Sequence, residues 1–138
     1  MKKFSILMIT VLAILMFVSC SGNASTPAKD INYDDLVGNW RQKFENSDKV
    51  EISFKAAKTA DVDNNGSSGE DKNGLTVSIS GDTITFTDTN GATYVYQAEI
   101  TSQTIDEETM FTLKMTQKGE NSIFVRRSEK AFTLSKLS

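Results

Sequence analysis

From Val37 onward, apolar and polar side chains alternate one for one in a series of short runs. Val50, Ile52 and Phe54 alternate with Glu51, Ser53 and Lys55, and Leu75, Val77 and Ile79 with Thr76, Ser78 and Ser80. Ile84 and Phe86 alternate with threonines. Tyr94, Tyr96, Ala98 and Ile100 alternate with Thr93, Val95, Gln97 and Glu99, and Phe111, Leu113 and Met115 with Thr112 and Lys114. Side chains of a strand point to opposite faces in turn, so the pattern predicts antiparallel strands with one face in a core and one in water. Gly81-Asp82 and Asn90-Gly91 supply the residues that tight hairpin turns need, Lys118–Asn121 is a longer turn, and Ser128–Lys130 is another. Runs at about 37–44, 49–56, 75–80, 83–88, 92–100, 109–116, 122–127 and 131–137 make eight strands. Ile31 to Leu36 is the one hint of helix, a short turn with Asp34 and Asp35 near its start.

Eight short strands joined mostly by short turns predict an all-β fold, an antiparallel up-and-down meander closed into a barrel with a short N-terminal helical turn. Closure removes both unpaired edges. A β-sandwich is the alternative, and periodicity does not separate the two. The expected interior set is Val50, Ile52, Phe54, Leu75, Val77, Ile79, Ile84, Phe86, Tyr94, Tyr96, Phe111, Leu113 and Met115. Within it, Phe54, Phe86, Tyr94, Tyr96 and Phe111 are the candidates for lining a pocket, with the two tyrosine hydroxyls orienting a small apolar or amphipathic ligand. The alternative is that these bulky groups fill a barrel of this size.

The first nineteen residues follow a different rule. Lys2 and Lys3 precede an apolar stretch from Phe4 to Val18 broken only by Ser5 and Thr10. Fifteen helical residues reach ~22 Å, short of a ~30 Å hydrocarbon core, which favours a signal peptide at 1–19 over a spanning helix. Phe17-Val18-Ser19-Cys20 then resembles the bacterial lipobox, with Phe17 where the family usually has leucine. The resemblance implies cleavage before Cys20 and acylation of that cysteine. At ~0.8 kcal/mol per buried methylene, two or three acyl chains anchor a protein stably to a membrane where one does not. Ser21 to Lys29 is small, polar and holds the chain's single proline, so 20–30 reads as a lipidated flexible tether below a domain at 31–138.

Composition narrows the function. Without the leader, 119 of the 138 residues remain, with 13 basic and 18 acidic side chains and net charge −5. That is one small domain, and its charge argues against a nucleic-acid partner. The chain has no histidine, which excludes Ser-His-Asp and Cys-His nucleophile systems and histidine-based zinc sites. Cys20, the only cysteine, has no internal disulfide partner.

Leu36-Val37-Gly38-Asn39-Trp40, at the start of the first strand, resembles the Gly-x-Trp signature of lipocalins and bacterial lipocalin-like domains. Gly81-Asp82-Thr83-Ile84-Thr85-Phe86 and Tyr94-Val95-Tyr96 are similar to the repeated hairpins of small bacterial lipocalin-like lipoproteins. The resemblance implies a calycin-type barrel with Trp40 across its closed end, Gly38 allowing close approach there, and a late arginine over the indole. Arg126 is the candidate, with Arg127 the other.

Three further clusters read as structural. Asp61-Val62-Asp63-Asn64-Asn65-Gly66 matches the first half of a calcium-loop template, but Lys72 stands at the twelfth position, where a bidentate glutamate is required. The stretch 57–73 is therefore expected to be a mobile polar connection, with weak calcium binding as the alternative. Asp106-Glu107-Glu108 reads as a solvated acidic turn, since adjacent residues point apart. The basic residues Lys114, Lys118, Arg126, Arg127 and Lys130 are scattered without interleaved aromatics, and no glycine-rich phosphate loop is present.

The sequence therefore leads to an expectation without cofactor or catalysis: an envelope lipoprotein held in the membrane through Cys20. Ser21 after the cysteine, rather than aspartate, leans by analogy toward the outer membrane. The expected role is binding a small apolar ligand. The alternative is a solid barrel that contacts a macromolecular envelope partner, whose identity the sequence leaves unknown.

Overall fold

The computed structural model describes residues 29–45, 48–64, 71–124 and 129–138. The leader, Cys20 and Arg126 lie outside these residues. Strands β1 (Gly38–Lys43), β2 (Lys49–Lys55), β3 (Thr59–Asp63), β4 (Lys72–Ser80), β5 (Thr83–Thr87), β6 (Thr93–Ile105), β7 (Glu108–Gln117) and β8 (Ala131–Lys136) follow a single helical turn, α1 (Tyr33–Leu36). Each strand pairs antiparallel with the next, and β1 pairs with β8, so the sheet is a closed eight-stranded up-and-down barrel and not a sandwich.

The set of eight differs from the expected one at two places. Residues 59–63, expected in a loop, form β3, with Ala60 and Val62 inward and Thr59, Asp61 and Asp63 outward. A small alanine and two acids hide the alternation, and the connection shrinks to 64–71. The β3–β4 ladder shifts register between Ala60 and Val62. There the Asp61 carboxylate accepts from the Gly74 N–H at 2.7 Å and pairs with Lys55. Conversely, residues 122–124, expected at the start of a strand, are not strand, yet Ile123 and Phe124 are fully buried. Their apolar character serves a plug and not a ladder.

Most of the expected interior set is buried: Val50, Ile52, Phe54, Leu75, Val77, Ile84, Phe86, Tyr94, Tyr96, Leu113 and Met115, with Ile79 packed at the margin. Phe111 is not, at 40% exposure. It keeps the inward phase of Leu113, but the β6–β7 hairpin outruns the barrel. The β5–β6 ladder ends at Thr83–Gln97 and the β7–β8 ladder at Thr112–Ser135, while β6 and β7 stay paired to Ile105–Glu108. The outer part of this hairpin is a two-stranded arm beyond the rim, closed by Asp106 and Glu107 at φ 51° and 68°. These angles are those of a two-residue turn with both central residues left-handed, a geometry that matches the twist of the flanking strands.

Candidate functional site

The barrel has two ends, and among the described residues each receives buried side chains from the segments that flank the strands. At one end, the segment from Ile31 to Leu36 runs beneath the floor. The Ile31 N–H donates to Gly81 O at 2.9 Å, and the Tyr33 hydroxyl donates to Lys55 O at 2.5 Å. Asn32 caps α1 by accepting from the Asp34 N–H, and Leu36 is wholly buried. Trp40 lies over this floor with no exposed surface, and its indole N–H donates to Leu36 O at 2.7 Å. The bond satisfies the one polar atom of the indole in the core.

A cation stands over the indole, but it comes from a residue that sequence reasoning missed. The Lys136 ammonium is 5.4 Å from the Trp40 ring and 5.6 Å from the Phe111 ring, so it lies near both aromatic groups. Trp40 and Lys136 are direct partners where β1 meets β8. The signal available in sequence was the alternation of the last strand, which gives Lys136 the same phase as Phe132 and Leu134. Gly38 has φ +128°, and a Cβ there would stand 3.1 Å from Lys136 Cε. The glycine thus serves the lysine stem as well as the backbone. The expected Arg126 lies outside the described residues.

At the other end, Ser122, Ile123 and Phe124, which follow β7, fold into the mouth. The Tyr96 hydroxyl accepts from the buried Ile123 N–H at 2.9 Å and shares a 2.9 Å hydrogen bond with Ser122 Oγ, which accepts from the Phe124 N–H. Burial pushes the Tyr96 phenol above its ordinary pKa, against these hydrogen bonds. Asn64, the buried polar residue among those described, donates from Nδ2 to Ile123 O. Tyr94 sits at the rim, with its hydroxyl on Asp88 and the Lys72 ammonium 5.1 Å from its ring.

Between the two plugs the interior carries a chain of rings, Tyr33–Phe54–Phe86–Tyr96–Phe124–Phe132. Successive centroids are 6.5, 5.9, 5.9, 6.1 and 4.3 Å apart. Pairs at such spacing add about 0.5–1.5 kcal/mol each beyond their burial. Of the five candidate pocket residues, Phe54, Phe86 and Tyr96 come together in this chain. Tyr94 lies at the rim, and Phe111 lies outside beside Lys136. Both tyrosine hydroxyls expected to greet a ligand already hold the protein's own groups.

The outer surface carries shallow depressions of ≈ 280 Å³ along β1–β4, beside Glu51, Asp61 and Asp71, and ≈ 250 Å³ beside Lys29, Asp82, Glu99 and Lys114. Asp61 and Asn64 of the calcium-loop template are engaged as described above, Asp61 within a strand and Asn64 facing the core. The arm exposes Ile105, Met110 and Phe111, at 47%, 52% and 40%. Comparison of the chain with family models, with curated proteins and with solved structures gives no match.

Proposed function

We propose that this chain is a lipid-anchored protein of the bacterial envelope, of lipocalin-like type, whose barrel is a solid, non-catalytic scaffold that presents its surface to a macromolecular partner. Two features of the described residues support this reading over a small-molecule binder: the ring chain Phe54–Phe86–Tyr96–Phe124 packs through the interior, and the Tyr94 and Tyr96 hydroxyls are engaged by the protein's own groups. Admitting a ligand would require Ile123 and Phe124 to leave the mouth, exposing two large apolar side chains at about 1.5–3 kcal/mol each. The Gly38-x-Trp40 pair at the start of a closed eight-stranded barrel supports the lipocalin-like assignment.

The anchor rests on Lys2, Lys3, the 4–18 apolar stretch and Cys20, and the outer membrane on Ser21. Fractionation of the full-length protein in its host tests it. Wild type is expected in the membrane fraction with an intact mass raised by acyl chains, and Cys20→Ala is expected to lose that added mass. A wild-type mass without acyl groups would overturn the anchor. Native mass spectrometry of the extracted protein tests the scaffold: a retained protein is expected, and a retained small molecule would restore the ligand reading.

A further inference from the structure

The hairpin arm combines an open backbone edge, exposed apolar side chains and unbalanced charge. A two-residue turn closes on a hydrogen-bonded pair, here Ile105–Glu108, and such pairs recur at every second position along an antiparallel ladder. The N–H and C=O groups of Ile100, Ser102 and Thr104 therefore point away from β7. The β5–β6 ladder ends at Thr83–Gln97, and Asp82 O takes the next outward donor, the Ala98 N–H, at 2.7 Å. The open edge thus begins at Ile100, and among the described residues its outward groups meet no protein partner. Gln103 pairs with Met110 and Ile105 with Glu108, so Ile105 and Met110 are diagonal neighbours on one face of the arm, both exposed. From Ile100 to Leu113 the chain has three acids, Asp106, Glu107 and Glu108, and no base. Among the described residues, none of the three belongs to an ion pair. Glu99 differs, since it faces Lys114 across the ladder and Lys29 lines the same depression. The unbalanced negative charge therefore sits at the tip of the arm.

We propose that the open β6 edge takes up an extended, cationic segment of a partner protein as an added strand, antiparallel to β6. The inference rests on the scaffold reading and names the surface and the chemistry of the partner. Unpaired N–H and C=O groups at alternate residues call for a strand, with main-chain bonds giving affinity and alternate side chains giving specificity. An antiparallel strand runs from the tip toward the barrel floor, so its first residues pass the turn. Lysine or arginine there meets Asp106, Glu107 and Glu108, the charge complementarity that fixes direction and register. The residue that follows faces Ile105, where an apolar side chain covers Ile105 and Met110. The strand ends opposite Ile100, short of the place Asp82 holds. A second copy of the chain is a poor occupant, because residues 100–113 offer no cation and its acidic turn would come against Asp82 and Glu99. A lipid surface offers the open backbone groups no ladder.

Peptide binding to the full-length protein in detergent tests it, with amide hydrogen exchange read residue by residue. The probe is acetyl-Lys-Lys-Val-Thr-Thr-Thr-Thr-Val-amide, its first valine placed against Ile105 and its second against Ile100. It is expected to bind and to slow exchange at Ile100, Ser102 and Thr104, while Thr101 and Gln103, whose N–H groups already face β7, change little. Replacing both lysines by glutamate, or the threonine facing Ser102 by proline, is expected to abolish binding. Glu107→Lys combined with Glu108→Lys is expected to weaken the probe about tenfold, at unchanged Trp40 emission. Should that variant disturb the fold, the peptide series on wild type decides alone. An unbound probe, equal binding of the glutamate peptide, slowing at other amides, or a wild-type dimer that protects these amides before peptide is added would overturn the proposal. An unbound probe alongside a protein retained in native mass spectrometry would leave the scaffold reading standing, whereas a retained small molecule would strike that reading itself.

Discussion

Gly38 carries two demands at once. Its φ of +128° belongs to a region that side chains adopt at a cost of order 1–3 kcal/mol, and the Lys136 stem fills the space a Cβ would take. Gly38→Ala is therefore expected to lower stability by about 1–3 kcal/mol in urea unfolding. The same substitution in a Lys136→Ala background should cost less, because the steric part of the penalty is gone. An equal cost in both backgrounds would show that the backbone angle accounts for all of it. Trp40 was legible in the sequence because glycine, tryptophan and the strand start occur together. Lys136 was not, because a lysine on an alternating strand reads as solvent-facing, and only closure of β1 on β8 turns it toward the indole.

At the scale of elements, the two misread stretches have one cause. A strand announces itself through alternation, and a plug announces itself through apolar content alone. Ala60 and Val62 alternate too faintly among acids for β3 to stand out, while Ile123 and Phe124 resemble a strand because buried side chains are apolar in any backbone. Phe111 was misplaced for a related reason, since phase tells which face a residue takes but not where a ladder ends. The plug also makes Tyr96 and Tyr94 unequal. Tyr96→Phe leaves the buried Ile123 N–H without an acceptor and is expected to cost about 1–3 kcal/mol. Tyr94→Phe loses a rim hydrogen bond to an Asp88 that backbone N–H groups of Asn90 and Ala92 already hold, and is expected to cost about 0.5–1.5 kcal/mol. Equal urea midpoints for the two variants would contradict the plug.

For the molecule as a whole, the absence of histidine sets the response to pH. No side chain has an ordinary pKa between pH 5 and 8, so stability is expected to be flat there. Acid acts through carboxylates. Donation by the Lys55 ammonium and then the Gly74 N–H holds Asp61 below its ordinary value. The Ala92 N–H does so first for Asp88. Burial pushes Glu51 up, but hydrogen bonds from Lys49 and Arg41 outweigh it. A carboxyl with a lower pKa in the folded than in the unfolded chain stabilises fully above its unfolded value, about 4, and loses that contribution as pH falls through the folded value. The urea midpoint is thus expected to fall below about pH 4, and Asp61→Asn to flatten part of the fall. An unchanged slope would mean the Lys55–Asp61 pair contributes nothing. The barrel itself was legible because eight alternating segments with short turns leave few other ways to hide one face of every strand.

The passage of the chain beneath the barrel floor also decides how the domain bears tension. A pull on the N-terminus meets the Ile31–Gly81 hydrogen bond and the seated Ile31 and Leu36 before it reaches any ladder. These contacts act as a clasp in series with the sheet, yielding first and sparing the strands from small loads.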